Sequence, residues 1–278
     1  ISGVDRTGNG EWEPSVNIIT YTDYDDDGNR ELFVQVTPGR DLEPRVLFCI
    51  DIEEMKIEWS LAVASFIGKE CLVKCAGEAP SVLFTSYGPK NGVTDRYFSD
   101  SYGYLTKVNN RGKVIFNKIV DADFYGSKII PIDESHQRFC LHLFLPLCDY
   151  RDTVSLPAPQ SRLAIIDDNG EILNSTAVSG KLIFSWMAEY GKLPGNQIYT
   201  TWNDGRLLIY DSTLTLLAQS NPTNIGYLLG RIKLKGQDEP IFVMSRTGGV
   251  DFYSQKFRKL GGIDALATMM FQPLEYDS

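Results

Sequence analysis

The chain has only two histidines and no Cys-x-x-Cys pair, so it lacks the ligand set of an ordinary zinc centre. His136 and His142 share a face if 136–142 is a strand, and without a third ligand they read as structural. Five cysteines are present. In Cys71-Leu-Val-Lys-Cys75 a strand would hold the two sulfurs roughly 13 Å apart, at about 3.3 Å per residue, too far to bond. Cys49, Cys140 and Cys148 stand in apolar contexts and read as small buried hydrophobes. No run approaches the roughly 20 apolar residues of a membrane-crossing helix. Basic residues are outnumbered, 27 against 36 acids for a net charge of −9, which argues against nucleic acid and anionic membrane as partners. No Gly-x-Ser-x-Gly, P-loop or dinucleotide fingerprint occurs, and Gly248-Gly249 and Gly261-Gly262 read as turns. Helical patterning is scarce: only Gly262 to Met270 reads as a helix, and Met269-Met270-Phe271 reads equally well as a closing strand. The chain opens at Ile1 with neither initiator Met nor signal pattern, as expected of a processed protein or a domain excised from a larger one.

What is present is apolar and aromatic, 43% and 12% of 278 residues, ample for a packed core. It is also repetitive. Leu47–Asp51, Leu105–Asn109, Leu163–Asp167, Leu207–Asp211 and Val250–Ser254 each place an aliphatic residue four positions before a turn-forming polar one. Each is followed by a second strand-like run: Lys56–Trp59, Lys113–Phe116, Glu171–Leu173, Thr215–Leu217 and Arg258–Leu260. An apolar residue recurs six positions after the turn residue, as Ile57, Ile115, Leu173, Leu217 and Leu260.

The five anchors are separated by 58, 58, 44 and 43 residues, the irregular spacing of propeller blades with loops of variable length. Further strand-like runs, Leu32–Val36, Val82–Ser86, Phe139–Leu145, Ile198–Thr201 and Ile241–Ser245, lie between the hairpins. A hairpin with a strand on either side makes a four-stranded blade. The expectation is a single all-β domain over residues 1–278, a β-propeller of five four-stranded blades, with six or seven if Asp121 to Leu156 hides a degenerate repeat. Val16 to Tyr21 is available as a strand for the last blade, which would clasp the ends of the chain together. The rival architecture, a pair of β-sandwiches, has no reason to repeat one hairpin five times.

Ahead of the first hairpin runs Asp23-Tyr-Asp25-Asp-Asp27-Gly28-Asn29-Arg-Glu31, with acids at alternate positions before the strand-like run from Leu32 to Val36. Ca²⁺ takes six to eight hard oxygen ligands, and alternating Asp residues on a tight bend at Gly28 can converge on one ion. A calmodulin-type loop would place a bidentate Glu at the twelfth position, but here that position is Val34. Glu31, at the ninth, is the only downstream acid, so a site here is a β-to-β loop site. A plain solvated acidic turn accounts for the same residues. The loop resembles the D-x-D-G-D-G-x-x-[DE]-[IL] signature of FG-GAP and VCBS-type propeller repeats, found in integrin α-chains and many bacterial surface proteins, with Asp26 in place of a glycine. Ile50-Asp51 through Glu58-Trp59 resembles the hairpin of pyrroloquinoline-quinone-type (PQQ-like) repeats. The resemblance implies a structural Ca²⁺ braced by Asp23, Asp25, Asp27 and Glu31, with the backbone carbonyl of Asn29. Asp121-x-Asp123-x-Tyr125-Gly126-x-Lys128 is a degraded echo that loses the later acids.

The leading functional expectation is a non-catalytic recognition or sensor domain of a larger receptor or surface protein, periplasmic or extracellular. Its expected ligand is a small molecule, glycan or peptide, with flanking signalling domains as further expected partners. Trp12, Trp186, Tyr190, Tyr199 and Trp202 stand beside loops and could stack on a carbohydrate or peptide, or be buried blade aromatics. The alternative is a propeller glycoside hydrolase or lyase with paired carboxylates. Asp51, Asp167 and Asp211 occupy one equivalent position, but it is a hairpin turn where Asp is expected on conformational grounds. A quinoprotein dehydrogenase is weaker still, since cofactor-binding versions are larger.

Overall fold

The computed structural model describes residues 15–25, 27–37, 45–67, 72–75, 80–88, 98–99, 101–119, 125–132, 137–144, 160–179, 182–189, 196–202, 206–220, 228–232, 241–246, 248–254 and 258–264. These residues form twenty strands and no helix. The strands make five antiparallel sheets, each a meander of four consecutive strands. The first sheet holds β1 (Ser15–Thr22), β2 (Glu31–Thr37), β3 (Arg45–Asp51) and β4 (Lys56–Val63). The second holds β5 (Leu72–Cys75), β6 (Ser81–Ser86), β7 (Tyr104–Asn109) and β8 (Val114–Ile119). The third holds β9 (Tyr125–Pro131), β10 (Arg138–Phe144), β11 (Gln160–Asp167) and β12 (Ile172–Ser179). The fourth is β13 (Leu182–Glu189), β14 (Asn196–Trp202), β15 (Leu207–Tyr210) and β16 (Leu216–Gln219), and the fifth is β17 (Leu228–Ile232), β18 (Ile241–Arg246), β19 (Gly249–Tyr253) and β20 (Lys259–Asp264).

The chain divides into two compact units, residues 1–178 with the first three sheets and 179–278 with the last two. In the first unit one core joins sheets one and two through Phe33, Leu47, Trp59, Val82 and Phe84. A second joins sheets two and three through Leu83, Leu105, Phe139, Leu141 and Ile166. In the second unit Tyr199, Leu207, Ile209, Phe242 and Met244 do the same for sheets four and five. The five hairpin anchors, Leu47, Leu105, Leu163, Leu207 and Val250, are all buried. The second sheet packs against the first and the third, and its strand β6 is accordingly buried at every residue; β15 of the fourth sheet is likewise buried at every residue.

The recurrent apolar residue of the fourth strands behaves oppositely. Ile57, Ile115, Leu173, Leu217 and Leu260 are exposed to 55, 55, 54, 38 and 54%.

The hairpin turns explain the polar residue of the repeat. Asp211 Oδ1 accepts from the backbone N–H groups of Thr213 (2.8 Å) and Thr215 (2.9 Å) and from the Thr213 hydroxyl. Asp167 Oδ1 accepts from Asn169 (3.0 Å) and Glu171 (2.8 Å), Asn109 Oδ1 from Arg111 and Lys113, and Asp51 Oδ1 from Glu54. In the fifth sheet Ser254 Oγ accepts from Arg258 N–H. The side chain thus satisfies amides that the bent backbone leaves unpaired.

Three expectations are corrected. Val16 to Tyr21 lies in β1 and pairs with β2 of the first sheet, Tyr21 opposite Leu32, because the short acidic loop folds it directly back; the last sheet already has four strands of its own. Gly262 to Asp264 end strand β20, paired with β19, so the proposed helix does not begin there; residues 265–271 lie outside the described residues. The hairpin does not have a strand on either side: it forms the third and fourth strands of each sheet, and the first and second both precede it. The segment from Asp121 to Leu156 supplies β9 and β10 of the third sheet.

Candidate metal centre

The acidic loop connects β1 to β2. One carboxylate oxygen each from Asp23, Asp25 and Asp27 comes within 4.8 Å of the others, the only such group of three His, Cys, Asp or Glu side chains among the described residues. The bend is fixed by side chains turned onto the backbone. Asp23 Oδ2 accepts from Gly28 N–H at 3.2 Å, Asp25 Oδ1 from Asp27 N–H at 3.3 Å, and Asp27 Oδ1 from Asn29 N–H at 2.7 Å. Gly28 has φ +95°, which an L side chain adopts only with strain. The Asn29 amide donates to Asp27 Oδ2 at 3.3 Å.

Charge at this loop is lopsided. Among the described residues no cation pairs with the three carboxylates, and Arg30, the loop's own cation, stands over the Tyr21 ring at 5.4 Å. Asp23 Oδ1 is buried with no hydrogen-bond partner. Burial raises the Asp25 carboxyl above its ordinary range, and the charge of Asp27 adds to it. The donor set is one that a divalent cation with oxygen preference fits: such an ion would give the orphaned oxygen a partner and offset the clustered charge.

Glu31 stands outside the group of three. It opens β2, is 2% exposed, and its Oε2 accepts from the backbone N–H of Tyr24 at 3.0 Å. Burial pushes its carboxyl up to about 7, opposed by that hydrogen bond and reinforced by the charges of Asp25, Glu58 and Asp27.

Tyr24, between the first two acids, was not singled out by the sequence. Its ring is buried edge-on against Phe33 at 5.4 Å, and its Oη donates to the Asn110 carbonyl at 2.8 Å and accepts from Trp59 Nε1 at 3.1 Å. Lys74 Nζ donates to the Asp23 carbonyl at 3.2 Å. The loop is therefore tied to the second sheet at both Asp23 and Tyr24. An aromatic residue between two acids is the one sequence signal that points to such an anchor.

The other expected positions divide as follows. Tyr199 is buried and packs on Phe242 with ring centroids 5.5 Å apart, so it is core and not a stacking face. Trp186 and Trp202 lie on β13 and β14, opposite Tyr199 and Leu182. Trp12, Tyr190, Asp26, His136, Cys71 and Cys148 lie outside the described residues. His142 is buried on β10, opposite Lys128 and Leu163. Cys49, Cys75 and Cys140 are buried free thiols. Of the degraded echo, Tyr125 to Lys128 form part of β9.

No family model matches the sequence, and no curated protein does. Solved structures do resemble the fold. A rhamnogalacturonan lyase, YesW, superposes with TM-score 0.54 at 12% identity over 96% of this chain and 60% of its own. A variant of the Synechocystis apocarotenoid oxygenase gives 0.51 at 11% identity over 94% of this chain and 63% of its own. The Dos1 propeller is similar at TM-score 0.45 and 11% identity, over 97% and 74% of the two chains. At these identities the likeness is one of fold, and the chain is accordingly an all-β protein of the β-propeller kind.

Proposed function

We propose that the five sheets are the five blades of a calcium-braced propeller of the FG-GAP or PQQ-like repeat type, acting as a non-catalytic recognition or sensor domain. In this reading the domain works outside the cytoplasm as part of a larger receptor or surface protein and takes a small molecule, glycan or peptide. The observation that carries the calcium assignment is the convergence of Asp23, Asp25 and Asp27 within 4.8 Å, with Asp23 Oδ1 buried and unpartnered. The ion's role here is structural, because the loop it would rigidify is the one tied to Asn110 and Lys74 of the second sheet. The paired-carboxylate alternative gains nothing from Asp51, Asp167 and Asp211, whose Oδ1 atoms are engaged by turn amides.

The test is a thermal melt in EDTA and with added Ca²⁺, for the parent and Asp25→Ala. A ligand bound only by the native state stabilises by mass action, by about 2.7 kcal/mol at a hundredfold excess over Kd, or roughly 5–10 °C for a chain of this size. Ca²⁺ should raise the parent's melting temperature and leave the variant's unchanged. A parent indifferent to Ca²⁺ removes the metal assignment. A glycan and peptide panel on the calcium-loaded domain then tests the recognition role.

A further inference from the structure

We propose that Glu31 is a positioning residue for the acidic loop and not one of its metal ligands. The consequence for metal affinity rests on the calcium reading above, whereas the positioning itself rests on geometry alone.

β1 ends at Thr22, so Tyr24, between Asp23 and Asp25, lies in the loop and its amide has no strand partner. The carboxylates on either side of it converge within 4.8 Å, together with that of Asp27. A buried N–H without an acceptor is costly. Glu31 supplies the acceptor: Oε2 stands 3.0 Å from Tyr24 N. It can do so because it is the first residue of β2, registered opposite Thr22 on β1 and Asp51 on β3, which places its short reach directly beneath the loop. The Tyr24 side chain is held independently by Asn110 and Trp59, so backbone and ring of this one residue are fixed from two sides. Glu31 stands outside the group formed by the three aspartates and is only 2% exposed.

A ligand and a positioning residue respond differently to loss of charge at constant shape. Glu31→Gln keeps an acceptor oxygen for Tyr24 N–H and removes the charge, whereas Glu31→Ala removes the acceptor. Ca²⁺ affinity measured by titration calorimetry below the melting temperature should fall about 10–100-fold in Glu31→Ala, as for the loss of an outer partner that orients ligands. Glu31→Gln should retain most of the parent's affinity, while Asp25→Asn should lose as much as Glu31→Ala. If Glu31→Gln falls as far as Asp25→Asn, Glu31 is a ligand and the proposal is overturned. If Glu31→Ala melts earlier but binds Ca²⁺ as the parent does, Glu31 is merely structural and the proposal is also overturned. Should Glu31→Ala fail to fold, the comparison of Glu31→Gln with Asp25→Asn still decides. Should the parent itself not bind Ca²⁺, the calcium reading fails separately, and hydrogen exchange of the Tyr24 amide decides the positioning role: protection kept in Glu31→Gln and lost in Glu31→Ala upholds it, and equal protection in both variants overturns it.

Discussion

Gly112, in the turn between β7 and β8, lies flat on the indole of Trp59 from the neighbouring sheet: a Cβ on residue 112 would stand 2.8 Å from Cδ2 and Cε3 of that ring. The contact recurs one sheet on, where a Cβ at residue 170 would meet Leu105 at 2.9 Å and Phe116 at 3.0 Å. The hairpin turn of one sheet thus docks on the sheet before it, on Trp59 of β4 in the first case and on Leu105 of β7 and Phe116 of β8 in the second, and the turn's glycine is what lets it come so close.

Gly112→Ala should therefore destabilise by two separate routes. Its φ of +69° disfavours an L residue by about 1–2 kcal/mol, and forcing a methyl into the indole adds about 1–3 kcal/mol of overpacking. A loss of several degrees in melting temperature is expected, with quenching or a spectral shift of Trp59 fluorescence. A melt indistinguishable from the parent's would show that the turn does not rest on the indole.

Asp251 gives the fifth sheet an acid dependence. Its carboxylate is buried and accepts from Lys259 Nζ at 2.7 Å and Arg246 Nε at 2.9 Å. Burial alone would raise its pKa, but the hydrogen bonds and charges of Lys259 and Arg246 outweigh it and hold the carboxyl below its ordinary value. A folded pKa below the unfolded value of about 3.9 means stability that is present above that pH and lost as pH falls through the lower folded value. Melts from pH 7 to 2.5 should show the parent losing stability at the acid end. Asp251→Asn should be less stable at pH 7, by about 1–3 kcal/mol, and should show a flatter acid limb. An equally steep limb in the variant would place the acid sensitivity elsewhere.

The turn aspartates are conformational. Asp211 is held below its usual range because the hydrogen bonds from Thr213 and Thr215 outweigh the effect of burial. Asp211→Ala should cost about 1 kcal/mol and Asp211→Asn much less, since the amide oxygen keeps the acceptor role. Equal losses in the two variants would mean that charge, not hydrogen-bond geometry, holds the turn.

Burial raises the thiol pKa of Cys140 to about 12 and of Cys75 to about 11, and Cys49 is driven up as well. None presents a thiolate to solvent at neutral pH. Peptide mapping after maleimide treatment at pH 8 should find these three unlabelled in the native protein and labelled in guanidinium. Rapid native labelling of any one would show that its sheet opens locally.

The hairpins were legible because their signal is local: an aliphatic anchor, then an Asx or Ser residue whose side chain closes the turn. The first strands of the second to fifth sheets were not, and β1, legible as a strand from Val16 to Tyr21, was assigned to the wrong sheet. β5 has four residues, β17 is interrupted by Gly230, and β9 contains Gly126 and ends at Pro131, so their identity comes from pairing with β6, β18 and β10 and not from their own pattern. At the acidic loop the convergence of three aspartates followed from their alternate spacing. The anchoring of Tyr24 did not, because Trp59 and Asn110 lie 35 and 86 positions away and only the packing of two sheets brings them there.

The two repeated apolar positions offer the sharpest contrast between a pattern and its energetic meaning. Leu105 and Ile115 both recur in register through all five sheets, yet Leu105 is fully buried and Ile115 is 55% exposed. Truncating a buried leucine removes its transfer free energy and leaves a cavity, so Leu105→Ala should cost about 2–5 kcal/mol. Ile115→Thr keeps β-branching on an exposed strand and should stay within about 0.5 kcal/mol. Chemical denaturation of both variants measures the difference directly. A large loss in Ile115→Thr would mean that the outer position is covered in the folded protein, whereas the expected asymmetry makes the anchors of the inner hairpin strands, and not the aliphatics of the fourth strands, the residues that hold the sheets together.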